Sequence, residues 1–442
     1  MFWEIPGHLE VRNHELCIGG LSAEGIARKY HAEEGPVAVY NGDRMLENYA
    51  RIAGAMKRHA DRPVHVYAAV KANSSLALLQ LLRKAPGGGG LRADAVSPNE
   101  GRLCLEAGFP HDHIKYTGTS VSNHDLDEAV GMGLVINCDS RSQIRRLAER
   151  HRPREVSIRW NPGEGAGETE HTITAGRHVK FGTAEEKTVD AFLYAMEMGL
   201  DPAMLHQHIG SNWKGSDVRV FLGTVDRTLG MAGRVIKAAK KNGLKEVDFG
   251  GGPGIRYHYR EPSFDVDAYA RGICGKLEGS GLGIDAIAIE PGRYIFGDAG
   301  ILLSEVNTVE VPPWKGVPVV GDNTGFNHLV RPQMYGSYHH VVVCSKADRR
   351  AGRKWMIAGN LCESGDVRTG DKHRLRPLPT PEEGDVLAAL NYGAYGFSMA
   401  SEYNSRNLPA EVLVLGGKDY LIRERGAFVD LLRNQRGLPR LG

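Results

Sequence analysis

Residues 64–84 of the chain read VHVYAAVKANSSLALLQLLRK. An apolar run, Val64–Val70, is followed by a polar turn and then by Ser75–Lys84, where apolar residues recur at helical spacing. A buried strand that leads directly into an amphipathic helix is the repeating unit of a parallel βα array. This stretch therefore predicts an α/β fold, provided that the unit repeats along the chain.

The unit does repeat, up to about residue 290. Seven further strand-like runs are Ala93–Val96, Ile114–Tyr116, Leu134–Asn137, Glu155–Trp160, Met204–His208, Glu246–Phe249 and Ala286–Ile289. Helix-like segments between them include Asn99–Ala107, Asn123–Gly131, Ser140–His151, Glu185–Met198 and Val218–Asn242. Eight strands is the number that closes a TIM barrel, so we predict a TIM (β/α)8 barrel over residues 36–300. An open doubly wound sheet fits the same pattern, because periodicity alone does not show closure.

The pattern of predicted strands and helices changes after Gly300. Short strand-like runs separated by turn residues, with little helix between them, predict an all-β domain over residues 301–442. These runs are Val306–Val311, Val317–Val320, His339–Ser345, Lys354–Ile357, Asp385–Leu390 and Glu411–Leu415. The N-terminal segment, residues 1–35, contains one more run, Glu15–Ile18, and we expect it to pack with the β domain.

Composition narrows the class of protein. A formal charge of +2 spread over 442 residues predicts neither a nucleic-acid partner nor a membrane partner. No apolar run is long enough to cross a bilayer. The six cysteines form no CxxC pair and show no metal-ligand spacing, which indicates reduced thiols in a cytoplasmic protein.

Candidate chemical groups fall where the predicted strands end, the face that carries the active site in TIM barrels. Lys71 directly follows the first strand, where poor solvation would prepare it to form an imine. Taken alone, a solvent-exposed lysine opening a loop is the simpler interpretation. Gly250, Gly251 and Gly252 follow the seventh strand, and residues without side chains let backbone N–H groups approach a phosphate. Glycine-rich turns are common, but barrels often bind phosphate at this position.

Two other strand ends carry ionisable residues. Glu290 and Arg293 lie at the end of the eighth strand, where they form either a structural ion pair or a carboxylate that holds a protonated pyridine nitrogen. His206 and His208 alternate at the end of the sixth strand and should point the same way. One of them could stack on a flat cofactor, or the pair could begin a metal site. With no third ligand evident, we predict no metal.

Two further segments are candidates for a part in the chemistry, one as a proton donor and one as a lid. Cys362 in the predicted β domain precedes two acids, Glu363 and Asp366. This thiol could deliver a proton, although a single cysteine is more often an inert small hydrophobe. The loop over residues 163–182 is long enough to act as a lid.

Taken in order, these motifs resemble the fold type III pyridoxal-phosphate decarboxylases, which combine an alanine-racemase-like barrel with a C-terminal β domain. The resemblance runs nearly end to end and implies pyridoxal 5'-phosphate as cofactor, an amino-acid substrate and a homodimer with shared active sites. Gln207 and Trp213 depart from the usual pattern of the family. The segments that carry the resemblance are Tyr67–Asn73, His208–Ser211, Gly250–Gly254, Glu290–Arg293, Arg331–Gly336, Cys362–Asp366 and Asn391–Gly396.

The resemblance also implies a role for each matching residue. Lys71 would hold the cofactor as an imine, His208 would stack on the pyridine ring, and Glu290 would hold the ring nitrogen. Cys362 would donate a proton to the carbanion, reaching in from a partner subunit. Further cofactor contacts would come from Asp94, Arg159, Ser211, Gly250, Gly251, Gly252, Arg293 and Tyr395, and substrate contacts from Arg293, Arg331, Tyr335, Glu363 and Tyr395.

These assignments favour one reaction and one substrate. Racemases of the superfamily place an arginine against the ring nitrogen, whereas a carboxylate there, Glu290, favours decarboxylation. Arg293 and Arg331 suit a distal carboxylate and Glu363 a distal ammonium, which fits meso-2,6-diaminopimelate better than ornithine or lysine. The product would be L-lysine, in the last step of its biosynthesis. The alternatives are a related decarboxylase of D-ornithine, D-lysine, arginine, carboxynorspermidine or a siderophore or antibiotic precursor, a non-catalytic regulatory homologue, and a phosphate-binding barrel without this cofactor.

Overall fold

The structure is a computed structural model, and it describes residues 3–85, 90–151, 155–213, 215, 217–311, 317–368 and 375–438. The chain divides into two units. One, here called the β unit, comprises Met1–Arg44, Tyr257–Tyr259 and Asp298–Gly442. The other, the barrel unit, comprises Met45–Arg256 and Arg260–Gly297.

The elements follow in chain order. The strands are β1 (Leu9–Arg12), β2 (Glu15–Ile18), β3 (Leu21–Ser22), β4 (Val37–Asn41), β5 (Val64–Ala69), β6 (Leu91–Ala95), β7 (Ile114–Tyr116), β8 (Val135–Cys138), β9 (Glu155–Arg159), β10 (Asp201–His206), β11 (Glu246–Asp248), β12 (Ile287–Ile289), β13 (Gly300–Glu310), β14 (Val319–Asp322), β15 (Val341–Val343), β16 (Arg353–Ala358), β17 (Arg376–Leu378), β18 (Val386–Leu390), β19 (Ala410–Leu415) and β20 (Lys418–Arg423). The α-helices are α1 (Ala23–Lys29), α2 (Gly42–His59), α3 (Leu76–Arg83), α4 (Pro98–Glu106), α5 (Asn123–Gly131), α6 (Arg141–Arg150), α7 (Glu185–Glu197), α8 (Asp217–Ala238), α9 (Val266–Ser280), α10 (Arg293–Phe296), α11 (Arg331–Tyr335) and α12 (Phe428–Leu432).

The barrel unit is built on eight parallel strands, β5 to β12, that close on themselves. Closure is made by β12 pairing with β5, with Ile287 opposite Val64. The predicted TIM barrel is therefore confirmed, and the open doubly wound sheet is excluded. Because β7 lies four strands away from β11 around the closed ring, the two strands face each other across the barrel interior.

Serine caps explain where three of the barrel helices begin. Ser97, Ser122 and Ser140 each stand just before α4, α5 and α6, and each side chain accepts a hydrogen bond from a backbone N–H of the first turn. Ser122 forms a full capping box with Asp125. Each cap gives a hydrogen-bond partner to a backbone N–H that has none within the helix.

The β unit contains a nine-stranded sheet and a three-stranded sheet with the strand order β1-β2-β3. The main path of the larger sheet runs β17-β16-β14-β13-β4-β19-β20, and β18 pairs with both β13 and β15. A buried apolar cluster joins N-terminal residues such as Leu16 and Ile26 to Ile301, Val342 and Leu390. The predicted all-β domain is thus present as a separate β-sheet unit.

Five strands of this unit were not predicted from the sequence: β1, β3, β4, β17 and β20. The predicted domain bounds at residues 35 and 300 assign β4 to the barrel, but in the structure β4 pairs with β13 and β19 of the β sheet. Every residue of β4 is buried, as in a barrel strand, so the sequence of Val37–Asn41 cannot be distinguished from that of a barrel strand.

Among the described residues, no helix has both the length and the apolar character needed to cross a membrane.

Candidate active site

Lys71 and Asp94 form the first pair of the site. Lys71 lies in a single 3-10 turn directly after β5, and its Nζ donates to Asp94 Oδ2 at 2.9 Å. Asp94 is fully buried, and burial would raise its pKa, but the Lys71 ammonium prevails and the pKa of Asp94 is lowered. The Lys71 side chain is 31% exposed, so its predicted poor solvation is only partial and Asp94 supplies the balancing charge.

Glu290 and His206 form the second pair. Glu290 directly follows β12, and His206 Nε2 lies 3.3 Å from its carboxylate. Burial and the charge of Asp94 raise the pKa of Glu290, while burial lowers the pKa of His206 to about 3. Glu290 Oε1 accepts no hydrogen bond among the described residues, although His206 Nε2 lies 3.3 Å from it. A buried carboxyl oxygen with an open bonding site can accept a partner from a bound molecule.

His208 is tied to the glycine turn that follows β11. The N–H of Gly251 donates to His208 Nδ1 at 3.0 Å, which fixes the orientation of the ring. Burial and the nearby Lys71 charge hold the pKa of His208 well below its usual range, so the ring is neutral. The alternation of His206 and His208 thus brings both side chains to the site, as the sequence indicated.

The turn itself requires glycine. Gly250 and Gly252 have φ values of +73° and +118°. A Cβ on Gly252 would lie 1.8 Å from Trp213 Nε1, and a Cβ on Gly251 would lie 2.2 Å from the carbonyl oxygen of Glu290. Trp213 therefore packs directly against the turn, which gives a structural reason for this unusual residue.

Ser211 and Arg293 meet beside the same turn. Arg293 begins α10, is buried, and donates from Nε and Nη2 to Ser211 Oγ at 3.2 and 3.1 Å. Glu168 of the 163–182 loop lies 3.9 Å from Arg293, and its N–H donates to the Ser211 carbonyl. This loop is thus hydrogen-bonded to the strand-end segment, and a lid movement stays a prediction.

Arg159, at the end of β9, is also buried in the barrel unit. Its Nε lies 3.9 Å from Asp139 Oδ1, its guanidinium lies 4.6 Å from the centre of the Phe181 ring, and its Nη2 has no hydrogen-bond partner among the described residues. A buried guanidinium N–H without a partner favours an anionic or oxygen-bearing ligand.

Below these groups lies a buried charged cluster that the sequence analysis missed. Lys115 Nζ, from β7, donates to Asp248 Oδ2 at 2.5 Å and to Glu246 Oε1 at 2.8 Å. All three side chains are buried. The available signal was a charged residue inside each of two very short apolar strands.

His206, Asp248 and Glu290 offer ligand atoms within 4.8 Å of one another, a group of three that contains His206 but not His208 and that the sequence did not reveal. The Lys115 ammonium already supplies a positive charge beside Asp248, and burial together with Glu290 raises the pKa of Asp248. We therefore assign no metal ion to this cluster, and the absence of a metal stays a prediction.

The remaining predicted site residues lie in the β unit. Arg331 is buried in α11 and donates to Tyr257 Oη at 2.8 Å and to Ser337 Oγ at 3.0 Å. Tyr335 ends the same helix and is half-buried, as is Tyr395, which has a φ of +58°. Their assignment to substrate or cofactor stays a prediction.

Cys362 and Glu363 are both exposed. The N–H of Cys362 donates to Asn404 Oδ1 at 2.7 Å, and Tyr403 Oη lies 3.4 Å from Glu363 Oε2. Buried Asp366 stabilises the turn, because its carboxylate accepts hydrogen bonds from the N–H groups of Leu361 and Phe326 at 2.9 and 2.8 Å. The thiol is thus presented outward on a fixed backbone.

The fold and this site define a class, the pyridoxal-binding barrel enzymes. Residues 46–297 match the family model described as "Pyridoxal-dependent decarboxylase, pyridoxal binding domain". The chain belongs to the pyridoxal-dependent decarboxylases, which confirms the resemblance recognised in the sequence.

Within that family the chain is similar to diaminopimelate decarboxylases. It is 43% identical over 431 residues to the enzyme of Methanothermobacter thermautotrophicus, with 96% of each chain covered. It is 34% identical to that of Archaeoglobus fulgidus, covering 95% of this chain and 97% of the other. The crystal structure of the M. jannaschii enzyme in co-complex with L-lysine matches with a TM-score of 0.87 and 29% identity, over 98% of this chain and 99% of that chain.

The cofactor of this family is pyridoxal phosphate, and the residues present fit it. Lys71 offers an amine, Glu290 Oε1 an open acceptor or proton, and Arg159 Nη2 an open donor. The three glycines leave no room for a Cβ, because backbone and the side chains of His208 and Trp213 lie directly against them. An aldehyde, a pyridine nitrogen and a phosphate are bound in proteins by groups of these kinds.

Proposed function

We propose that this protein decarboxylates meso-2,6-diaminopimelate to L-lysine and carbon dioxide. The observation that carries the proposal is the convergence of Lys71, Asp94, His208 and Glu290 at the strand ends of a barrel whose relatives are diaminopimelate decarboxylases over almost their whole length. The carboxylate at residue 290 favours decarboxylation over racemisation.

The barrel unit would hold the cofactor at four places. Lys71 would hold its aldehyde carbon, Glu290 its ring nitrogen, and His208 the face of its ring. Ser211, the backbone around Arg293 and the N–H groups of residues 250–252 would bind its phosphate, with Tyr395 near it. Bound pyridoxal phosphate supplies an electron sink for the electron pair left on Cα when the carboxylate departs.

The side chains of the chain manage protons around that step. Asp94 would hold the Lys71 ammonium once the substrate amine has displaced Lys71 from the cofactor, and Glu290, with its raised pKa, retains a proton at Oε1 or Oε2. His208 stays neutral, so it adds no charge above the ring. Cys362 would deliver a proton to Cα from its Sγ, and Lys71 would then resume its place.

The substrate assignment rests on the distal groups. We propose that Arg293 and Arg331 face the distal carboxylate and that Glu363 and Tyr335 face the distal ammonium. The product L-lysine lacks the carboxylate removed at the reacting centre and keeps the distal amine. That the M. jannaschii relative was crystallised with L-lysine supports a site of this size and polarity.

Product analysis tests the proposal. Enzyme loaded with pyridoxal phosphate is offered meso-diaminopimelate, D- and L-ornithine, D- and L-lysine, and L-arginine separately, and the amine products are separated by chromatography. We expect lysine and carbon dioxide from diaminopimelate alone. Turnover of another amino acid in preference would keep the decarboxylase class and overturn the substrate.

We further propose a cytoplasmic homodimer in which Cys362 and Glu363 serve the active site of the partner subunit. Their exposure, together with exposed Met334 and Tyr403, supports an approach by a second copy. The free state of all six cysteines supports a reducing compartment.

Mixing two inactive variants, Lys71→Ala and Cys362→Ala, tests the sharing of sites. Random exchange of subunits should restore about a quarter of the wild-type activity, because half of the dimers then contain one intact site of two. Sites built within one subunit would show no recovery.

A further inference from the structure

Lys115 spans the interior of the barrel. It projects from β7, and its Nζ reaches Asp248 and Glu246 of β11, the strand on the opposite side of the ring. Its ammonium also lies 4.0 Å from the centre of the Tyr67 ring, which is buried as well. This side chain is therefore held on several sides at full burial.

Asp248 connects Lys115 to the glycine turn. While Oδ2 accepts from Lys115, Oδ1 accepts from the N–H of Gly250 at 2.8 Å. The carbonyl of Gly250 accepts from the N–H of Glu290 at 3.0 Å. A continuous path of hydrogen bonds thus runs from Lys115 through Asp248 to the turn and on to Glu290.

A cation at this point is required by the charges around it. Asp248, Glu246 and Glu290 are three buried carboxyl groups, and removing the countercharge from buried carboxylates is strongly destabilising. The ionisable groups in direct contact with the cluster are the His65 ring, 2.5 Å from Glu246, Tyr67, 3.3 Å from the same carboxylate, and the His206 ring beside Glu290. The charges of Asp94, Lys71 and Arg159 also act on Glu290. Among the described residues, Lys115 is the lysine that bridges the two acids of β11.

A buried ion pair contributes little more to stability than apolar residues of equal volume, so its value lies in fixing positions. Resting on the function proposed above, we propose that Lys115 is a positioning residue of the cofactor site. Through Asp248 it holds the Gly250–Gly252 turn in the conformation that binds the cofactor's phosphate.

The test compares Lys115→Met with a charge-balanced double variant, Lys115→Met/Glu246→Gln, in the full chain. The double variant removes one positive and one negative charge together and so guards against failure to fold. Lys245→Met is the matched control, because Lys245 is 58% exposed and pairs with Glu155 at the surface. Each protein, depleted of cofactor, is titrated with pyridoxal phosphate and, separately, with pyridoxal, which lacks the phosphate.

We expect the double variant to bind pyridoxal phosphate at least about tenfold more weakly, the loss of one hydrogen bond to a charged group. Its affinity for pyridoxal should stay within about twofold, as should both affinities of the control. Equal weakening for both ligands, or no weakening, would overturn the proposal. Binding requires no turnover, so a wild-type protein that fails to decarboxylate diaminopimelate overturns the proposed function alone.

Discussion

The two units treat their ionisable residues in opposite ways. The barrel unit buries them: Asp94, Lys115 and Glu290 are almost inaccessible and are balanced by one another. The β unit exposes Cys362 and Glu363, the groups assigned to proton delivery and to the distal ammonium, although it buries Arg331. The difference teaches that burial alone positions the groups proposed to hold the cofactor, whereas the exposed groups of the β unit would need the proposed partner subunit to enclose them. Changes in the barrel should therefore alter how the cofactor is bound or how it reacts, whereas changes at the Cys362 turn should affect turnover alone.

Replacing Lys71 should have the largest effect. Lys71→Ala removes the amine that holds the cofactor, and we expect turnover to fall by a factor of about 10⁴ or more. Borohydride reduction followed by mass spectrometry should find the cofactor attached to the wild-type chain and absent from the variant. Attachment that survives in Lys71→Ala would show that another lysine carries the cofactor.

Cys362→Ala should separate the two units most clearly. We expect the visible absorbance of the bound cofactor to be unchanged while turnover falls about 10²- to 10⁴-fold, the range for a lost general acid. Ser364→Ala, an exposed neighbour in the same turn, is the control and should stay close to wild type. Unchanged turnover in Cys362→Ala would remove this thiol as the proton donor.

Glu290→Gln tests the interior of the barrel without changing the size of the side chain. The amide cannot hold the ring nitrogen protonated, so we expect kcat to fall about 10²- to 10³-fold. Cofactor affinity should change much less, because Lys71 and the glycine turn remain. Loss of cofactor in place of loss of kcat would assign Glu290 a purely structural role.

The smallest effect concerns stability and comes from the β unit. Burial lowers the pKa of His328 from near 6.5 to about 4. As the pH falls through this range, His328 binds a proton in the unfolded chain but not in the folded chain. Wild type should lose about 1.4 kcal/mol of unfolding free energy per pH unit between 6.5 and 4 relative to His328→Gln. Denaturant titrations at several pH values measure this, with His14→Gln, an exposed histidine, as control. A gap between wild type and His328→Gln that does not change with pH would contradict burial of a neutral ring.

Local patterns were enough to predict the barrel. Runs such as Ile114–Tyr116 were found with the bounds that the structure has, because a short apolar run between helices has few other interpretations. Strand β4 was missed for the converse reason: its run resembles a barrel strand, and only its pairing with β13 and β19, far away in sequence, reveals its sheet. Strand β20 was missed because its exposed residues, such as Tyr420 and Leu421, break the expected alternation.

The candidate site also has one part that local sequence patterns predict and another that depends on long-range contacts. Lys71, His208 and Glu290 follow strand ends, so closure of the barrel brings them to one face, and the sequence was sufficient to predict this. The Lys115 cluster was not predictable, because it depends on β7 facing β11 across the closed ring, and a lysine inside a three-residue strand offers no partner in the sequence. Long-range geometry decides such contacts.

The span of Lys115 across the barrel has a consequence for evolution. Lys115 and Glu246 neutralise each other inside the barrel, so a lineage that loses one retains an uncompensated buried charge until it loses the other. Single replacements at these two positions should be rarer among relatives than paired replacements by uncharged residues, although a paired replacement still loses the hydrogen bond from Lys115 to Asp248. The two positions should therefore covary across the family, although 131 residues separate them in the chain.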